Sequence, residues 1–336
     1  LKAAIIREYK KPLAIEEADL PIPSDDEVLI KVEACGVCHS DLHLADGDWK
    51  HLHRIIKHPL IPGHEVVGRV VERGTSVSNL RIGDRVGVAW VHWTCGECEL
   101  CREGNENLCS NQSITGATVD GGYADFIKAK ASHALKVPER LSSVEAAPLF
   151  CAGVTVYRAI KKSGIQSGQR LAVFGVGGLG HLAIQIAKTF GAFVIAVDID
   201  DSKLDFARGL GADVTINGAR EDPVKQIRKM GGAQAAVVTS GAKAAYDNAF
   251  YAVRPGGALM VVGMPAEDLT FPAIMMREIR IQSSATGTRD DLRELLDLAD
   301  AGKVKCRVET RRLEEVNQVL DEMRAGKITG RVVLKM

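Results

Sequence analysis

The 336-residue sequence predicts an α/β protein with two parts: a β-rich lobe and a doubly wound parallel sheet. Three observations carry this. The length exceeds what one hydrophobic core usually serves. The first 150 residues are short strand signals broken by turns. From about Ala146 onward, strands alternate with helices, which is the pattern of a parallel sheet with crossover helices.

Each element follows in order. EVLIKVEACGV (Glu27 to Val37) and VVGRVVERG (Val66 to Gly74) are β-branched runs with glycine at or near their ends. GDRVGVAW (Gly83 to Trp90) and GYADFIKA (Gly122 to Ala129) read the same way, and PSDD and VDGG are turns between strands. CAGVTVYRAIKKSG (Cys151 to Gly164) reads as a helix. Leu171 to Phe174 is a strand, followed by a glycine turn, a helix stopping at Gly191 and the strand VIAVD. A helix spans Ser202 to Leu210, and Val214 to Asn217 is a strand. Ala235 to Ser240 is a strand, Ala242 to Val253 a helix, and RPGG (Arg254 to Gly257) a turn into the strand Ala258 to Met264. Ile279 to Ala285 closes the alternation. The tail reads helix (Asp290 to Ala301), strand, helix (Leu313 to Arg324) and strand (Arg331 to Lys335), and is expected to return to the first lobe. The expected domains are residues 1–150, 151–287 and 288–336, the last rejoining the first.

Lys+Arg and Asp+Glu both number 43, so no net field draws the chain to nucleic acid or an anionic membrane. No apolar run approaches the ~20 residues of a membrane span. Leu1 to Glu17 carries charges throughout, without a signal-peptide core. Eight cysteines are too sparse for a disulfide scaffold, and their clustering suits metal in a reducing compartment. A cytoplasmic protein is expected.

Cys95, Cys98, Cys101 and Cys109 have the spacing C-x2-C-x2-C-x7-C. Four thiolates this close suit a closed tetrahedral zinc site that holds a loop in shape. The remaining cysteines could join a histidine at a second metal with an open position. Cys38, His64 and Cys151 form one such trio, with Cys35 and His43 as competitors, because spacing alone cannot join three distant segments.

Gly175-Val-Gly177-Gly178-Leu-Gly180 matches G-x-G-x-x-G between a strand and a helix. Such glycines allow a tight turn and close approach to a pyrophosphate, whose charge meets the helix N-terminus. Asp198 ends the next strand, where a carboxylate accepts ribose hydroxyls and repels a 2′-phosphate. Asp200 and Asp201 add to that repulsion, so NAD is favoured over NADP.

GHE-x2-G-x5-G-x2-V (Gly63 to Val77), CHSDLH, the four-cysteine lobe, CAGVTVY and GVGGLG occur in one order along the chain. Together they resemble the zinc-dependent medium-chain alcohol dehydrogenases, most closely the bacterial and yeast-type NAD-dependent forms. The resemblance spans essentially the whole chain. It implies a GroES-like catalytic domain, a Rossmann domain, and two zincs lying at or beside the cleft between them. By this resemblance Cys38, His64 and Cys151 hold the catalytic zinc. Cys₂His is the set known for such enzymes, so it comes from the likeness and not from spacing.

The resemblance further implies hydride transfer from a zinc-bound alkoxide to the nicotinamide, turning a small primary alcohol into its aldehyde and back. Glu65 matches a near-metal glutamate and Asp41 an acid that orients His64. Ser40 matches a hydroxyl that contacts the alcohol oxygen, and His43 the end of a proton relay. His39, Lys203 and Arg331 match cofactor phosphate or ribose contacts. Thr155 and Val262-Gly263-Met264 match the nicotinamide pocket. Trp49 and Trp90 match the pocket wall of forms that act on short alcohols. A homotetramer is implied, because a long insertion of dimeric forms is missing. The alternatives are secondary, polyol or aromatic alcohols on the same fold, or a non-catalytic nucleotide-binding relative. Cys35 and Cys306 are read as buried thiols, and His51, His53, His58, His133 and His181 as surface or loop residues. His92 and Trp93 receive no role.

Overall fold

The chain opens with a hairpin, β1 (Lys2–Ile5) against β2 (Ala14–Glu17). β3 (Glu27–Val37) is buried along nearly its whole length, as a strand covered on both faces should be. Helix α1 (His39–Asp46) follows at once and is closed by Gly47 in the left-handed region (φ 68°). Next come β4 (Glu65–Arg73), β5 (Arg85–Val88), β6 (Val91–Trp93), the single turn α2 (Glu99–Arg102), β7 (Ser113–Ile114), β8 (Phe126–Lys130) and β9 (Leu135–Lys136). Helix α3 (Ser143–Ala146) starts from a Ser142–Glu145 capping box. This computed structural model describes residues 1–336, the side chain of His51 excepted.

Helix α4 (Ala152–Ser163) begins the alternating part. It runs β10 (Arg170–Phe174), α5 (Gly180–Thr189), β11 (Phe193–Asp198), α6 (Asp201–Gly209), β12 (Val214–Asn217), α7 (Pro223–Lys229), β13 (Ala233–Val238), α8 (Lys243–Ala252), β14 (Val253–Val261) and β15 (Arg280–Ser283). All pairings are parallel and the strand order is β12-β11-β10-β13-β14-β15. The order reverses between β10 and β13, the switch point at which α/β sheets bind nucleotides. The core here includes Phe174, Ile195, Val238, Tyr246 and Phe250. RPGG is not the turn its composition suggests. Residues 254–257 lie within β14, which absorbs them in a register shift: Ala233 pairs with Val253, then Ala235 with Ala258.

The chain then continues through α9 (Arg289–Asp300), β16 (Val308–Arg312), α10 (Val316–Arg324) and β17 (Arg331–Lys335). β17 pairs antiparallel with β3, so the C-terminal strand does return to the first lobe. The resulting seven-stranded sheet has the order β16-β17-β3-β4-β5-β9, with β8 also on β3. Its core gathers Ile30, Val66, Val88, Tyr123, Val316 and Leu334. Two compact units result. One comprises 1–151, 288–300 and 306–336, and the other comprises 152–287 and 301–305. Among the described residues, no helix is long and apolar enough to cross a membrane.

Candidate active site

The register of β3 on β4 builds the first site. Gly36 pairs with Glu65, so Cys38 and His64, just beyond the paired ends, lie side by side. A Cβ at position 36 would sit 1.8 Å from Glu65 Oε2, so glycine here makes room for the carboxylate. Cys151 arrives from the 3-10 turn Ala147–Phe150, and its Sγ lies 3.9 Å from Cys38 Sγ. Donor atoms of Cys38, His64, Glu65 and Cys151 all fall within 4.8 Å of one another.

The second partners are as well defined. His64 Nδ1 donates to Asp41 Oδ1 at 3.0 Å. Asp41 also accepts from the N–H groups of Gly63 (3.1 Å) and Cys38 (2.9 Å), and from the Tyr123 hydroxyl (2.9 Å). The bond to Asp41 fixes the His64 tautomer and leaves the Nε2 lone pair bare. That atom is buried and has no hydrogen-bond partner among the described residues, an arrangement that costs free energy unless a cation meets it. The two thiols share a proton. The hydrogen bond from Cys151 pushes the Cys38 thiol down, and the same bond pushes Cys151 up. A divalent cation would let both ionise, so the donor set fits zinc.

Arg331 Nη2 donates to Glu65 Oε1 at 2.6 Å, with both side chains almost fully buried. Burial pushes the Glu65 carboxyl up, and Arg331 opposes it. Arg331 Nε is buried without a partner among the described residues. Trp90 meets His64 edge-on at 4.7 Å between ring centroids, and Trp49 meets Trp90 at 6.0 Å. Ser40 and His43 lie on helix α1, one turn apart, and His39 is its first residue.

The four clustered cysteines also converge. Cys109 Sγ lies 3.5 Å from Cys95 Sγ and 3.9 Å from Cys98 Sγ, and Cys95 lies 4.0 Å from Cys101. Backbone N–H groups of Glu97 and Cys98 pull the Cys95 thiol down to about 6, while burial and the neighbouring thiols push Cys101 up to about 12. The cluster cannot ionise fully without a cation at its centre, so it fits a closed zinc site.

In the other unit the glycine loop follows β10 and opens α5. A Cβ on Gly180 would lie 1.9 Å from the Gly175 carbonyl, which explains the third glycine. A Cβ on Gly177 would meet nothing, so space is open over the loop. Asp198 ends β11 with Oδ2 accepting from Val176 N–H (2.6 Å) and Oδ1 from Ile199 (2.8 Å). Lys203 lies on α6, Thr155 on α4, and Val262 and Gly263 just beyond β14, where both N–H groups bond the Val238 carbonyl. Met264 is exposed.

Comparison with known proteins settles the family. The alcohol dehydrogenase GroES-like domain family matches residues 24–139, and the zinc-binding dehydrogenase family matches 178–301. An alcohol dehydrogenase of Geobacillus stearothermophilus is 49% identical over 100% of this chain and 99% of its own. The crystal structure of the alcohol dehydrogenase from the hyperthermophilic archaeon Aeropyrum pernix shares 39% identity with TM-score 0.92, covering 100% of both chains. The chain belongs to the zinc-dependent medium-chain alcohol dehydrogenases. An acetophenone reductase from Geotrichum candidum, solved with NAD, is 33% identical with TM-score 0.90, covering 100% of this chain and 97% of that one. As a member of this family the chain is an enzyme of alcohol oxidation that uses zinc and NAD(P).

Within this alcohol dehydrogenase several sequence readings change. His133 and His181 are both buried, His133 in a loop as read and His181 packed at the start of α5. His133 is held by Thr94 (3.0 Å) and Ser132 (2.9 Å), and His181 faces inward from α5 with Nδ1 3.1 Å from the Gly177 carbonyl. Cys306 is only partly buried, whereas Cys35 is fully buried. His51 lies outside the described side chains. No local pattern marks Tyr123, whose hydroxyl donates to Asp41, nor Asp48, which bonds His43. Only their places in the folded chain disclose them.

Proposed function

We propose that this enzyme oxidises small primary alcohols to aldehydes with NAD, and runs the reverse reaction. The observation that carries the reading is the convergence of Cys38, Cys151 and the bare His64 Nε2, walled by Trp90 and Trp49. Zinc held by these three would act as a Lewis acid that lowers the pKa of the alcohol hydroxyl, and NAD would accept the hydride. The chain's own residues do the rest. Asp41 keeps His64 in the binding tautomer. Ser40 both accepts and donates, so it can take the hydroxyl proton and pass one on, and a ring nitrogen of His43 can accept it. Arg331 pairs with Glu65 at the metal's edge and offsets part of the effect of burial on it, and its bare Nε suits a cofactor phosphate, as His39 does. Thr155 and Val262-Gly263-Met264 would contact the nicotinamide. Lys203 would contact the adenosine ribose. The glycine loop and Asp198 favour NAD over NADP.

A second zinc at Cys95, Cys98, Cys101 and Cys109, a homotetramer and a cytoplasmic site complete the proposal. A secondary-alcohol reading draws support from the likeness to the acetophenone reductase, while the two tryptophans argue for short substrates. Rates with ethanol, longer alkanols, 2-propanol and benzyl alcohol, each with NAD and NADP, decide between them. Fastest turnover of 2-propanol or benzyl alcohol would overturn the primary-alcohol reading. Metal analysis should find about two zincs per chain, and light scattering gives the oligomeric state.

A further inference from the structure

His43 has a carboxylate partner. Its Nδ1 lies 2.7 Å from Asp48 Oδ2. The end of α1 sets this contact: Gly47 turns the chain in the left-handed region, and the Asp48 N–H closes onto the His43 carbonyl at 3.0 Å. The ring also packs against Trp49, at 5.8 Å between centroids.

An imidazole that donates its Nδ1–H to a carboxylate is held in one tautomer, with its lone pair on Nε2. Asp48 itself lines a polar surface cavity of about 460 Å³, whose other charged groups are Lys10, Lys11, Asp46, Asp321 and Arg324. Arg324 is engaged by Asp46 and Asp321, each at 2.6 Å. His39 is the other titratable group on the His43 face of α1. Asp48 is the carboxylate that His43 meets, and it is itself half exposed on the cavity side.

We propose that Asp48 is a positioning residue for alcohol oxidation: bonded to Nδ1–H, its carboxylate holds the His43 ring with Nε2 free to accept and stands beside the positive charge that forms there. The inference rests on His43 being the end of the proton relay. The hydroxyl proton of the alcohol ends on Nε2, while Nδ1 keeps its own proton in the bond to Asp48. The extra proton is then lost to water, and no electrons move in this step.

The test is the pH profile of kcat for ethanol oxidation by the zinc-loaded, full-length enzyme and its Asp48→Asn, Asp48→Glu and His43→Gln variants. In Asp48→Asn the ascending limb should move to lower pH by about half to one unit, because the base loses its anionic partner. Its plateau should fall about 3- to 10-fold with KM for the alcohol nearly unchanged. Asp48→Glu should restore most of the limb, and His43→Gln should remove it. If Asp48→Asn keeps the wild-type limb while His43→Gln has lost it, the inference is overturned and the relay stands. A lower plateau with an unmoved limb means a structural role only and overturns it equally. If His43→Gln keeps the limb, the relay reading fails and this inference fails with it.

Discussion

Asp41 Oδ1 accepts the His64 Nδ1–H at 3.0 Å, and both side chains are sealed from solvent. All four donors around Asp41 point at carboxylate oxygens, so neither oxygen can be replaced by an NH₂ without a donor facing a donor. Asp41→Asn should therefore weaken zinc at the Cys38 site by about 10- to 100-fold and lower kcat, while leaving the four-cysteine site loaded. Metal content after competition with a graded chelator reads this directly. Wild-type retention of both metals would show that the Asp41–His64 bond does not hold the site together.

Asp198 has two duties. On the proposed reading it contacts the adenosine ribose, and its Oδ2 takes the Val176 N–H of the glycine loop. Asp198→Ser should raise kcat/KM for NADP by about tenfold or more, since a full negative charge is removed from beside the 2′-phosphate. It should also cost NAD, because the loop loses an anchor. Initial rates with both cofactors check this. A variant that still rejects NADP as strongly as the parent would place the discrimination elsewhere, with Asp201 as the nearest candidate.

Much of the fold was legible because its signals are local. The glycine motif between Phe174 and His181 specifies strand, turn and helix within one stretch, and the cysteine lobe lies within fifteen residues (95–109). The site at Cys38 was legible only through family likeness. Its assembly depends on the β3–β4 register, which pairs Gly36 with Glu65, and register is a long-range property that spacing does not carry. Helix α1 carries no helix signal in the sequence, because CHSDLH is short and polar. Its cap, with the Asp41 side chain accepting from Cys38 N–H, forms only because Asp41 is held by Tyr123 and His64 as well. RPGG misled for the opposite reason: its composition is that of a turn, but the flanking residues Val253 and Ala258 both pair with β13 and carry it through as strand with a shift.

The buried histidines give a pH prediction with a definite sign. Burial holds the His92 imidazole down at about 4, and burial with help from Arg289 does the same for His133. Both are neutral in the folded protein at pH 7, while in the unfolded chain each titrates near its ordinary value of about 6.5. Their contribution is therefore whole above about pH 6.5 and is lost as pH falls from there to about 4. A shift of this size is worth on the order of 3 kcal/mol for each buried group. The urea midpoint should fall between pH 7.5 and pH 5. His92 Nδ1 has no partner among the described residues, so His92→Phe loses little at pH 7.5 and should show a smaller fall. Protonation of the cysteines acts in the same direction but is common to both proteins. Equal falls in the two would mean that His92 is not the group being charged.

An ion pair ties the cysteine lobe to the rest of its unit. Glu106, between Cys101 and Cys109, receives Arg289 Nε (2.9 Å), Nη2 (2.5 Å) and the Arg289 backbone N–H (2.9 Å), and Arg289 Nη1 reaches the Ser132 carbonyl at 2.8 Å. Burial pushes the Glu106 carboxyl up, but Arg289 more than reverses it and holds the group below the usual carboxylate range. Arg289→Ala leaves a mostly buried anion with only a backbone donor, at a cost of about 2 kcal/mol after discounting for its remaining contact with water. Zinc should then leave the four-cysteine site up to about 30-fold faster, since about 1.4 kcal/mol is a factor of ten. Arg289→Lys keeps the charge but not the fork, and should fall between the two. Release into a colorimetric chelator, followed with the Cys38 site protected by bound NADH, gives the rate. Equal rates in all three proteins would mean that the lobe is held by its own packing and that the ion pair is incidental to its metal.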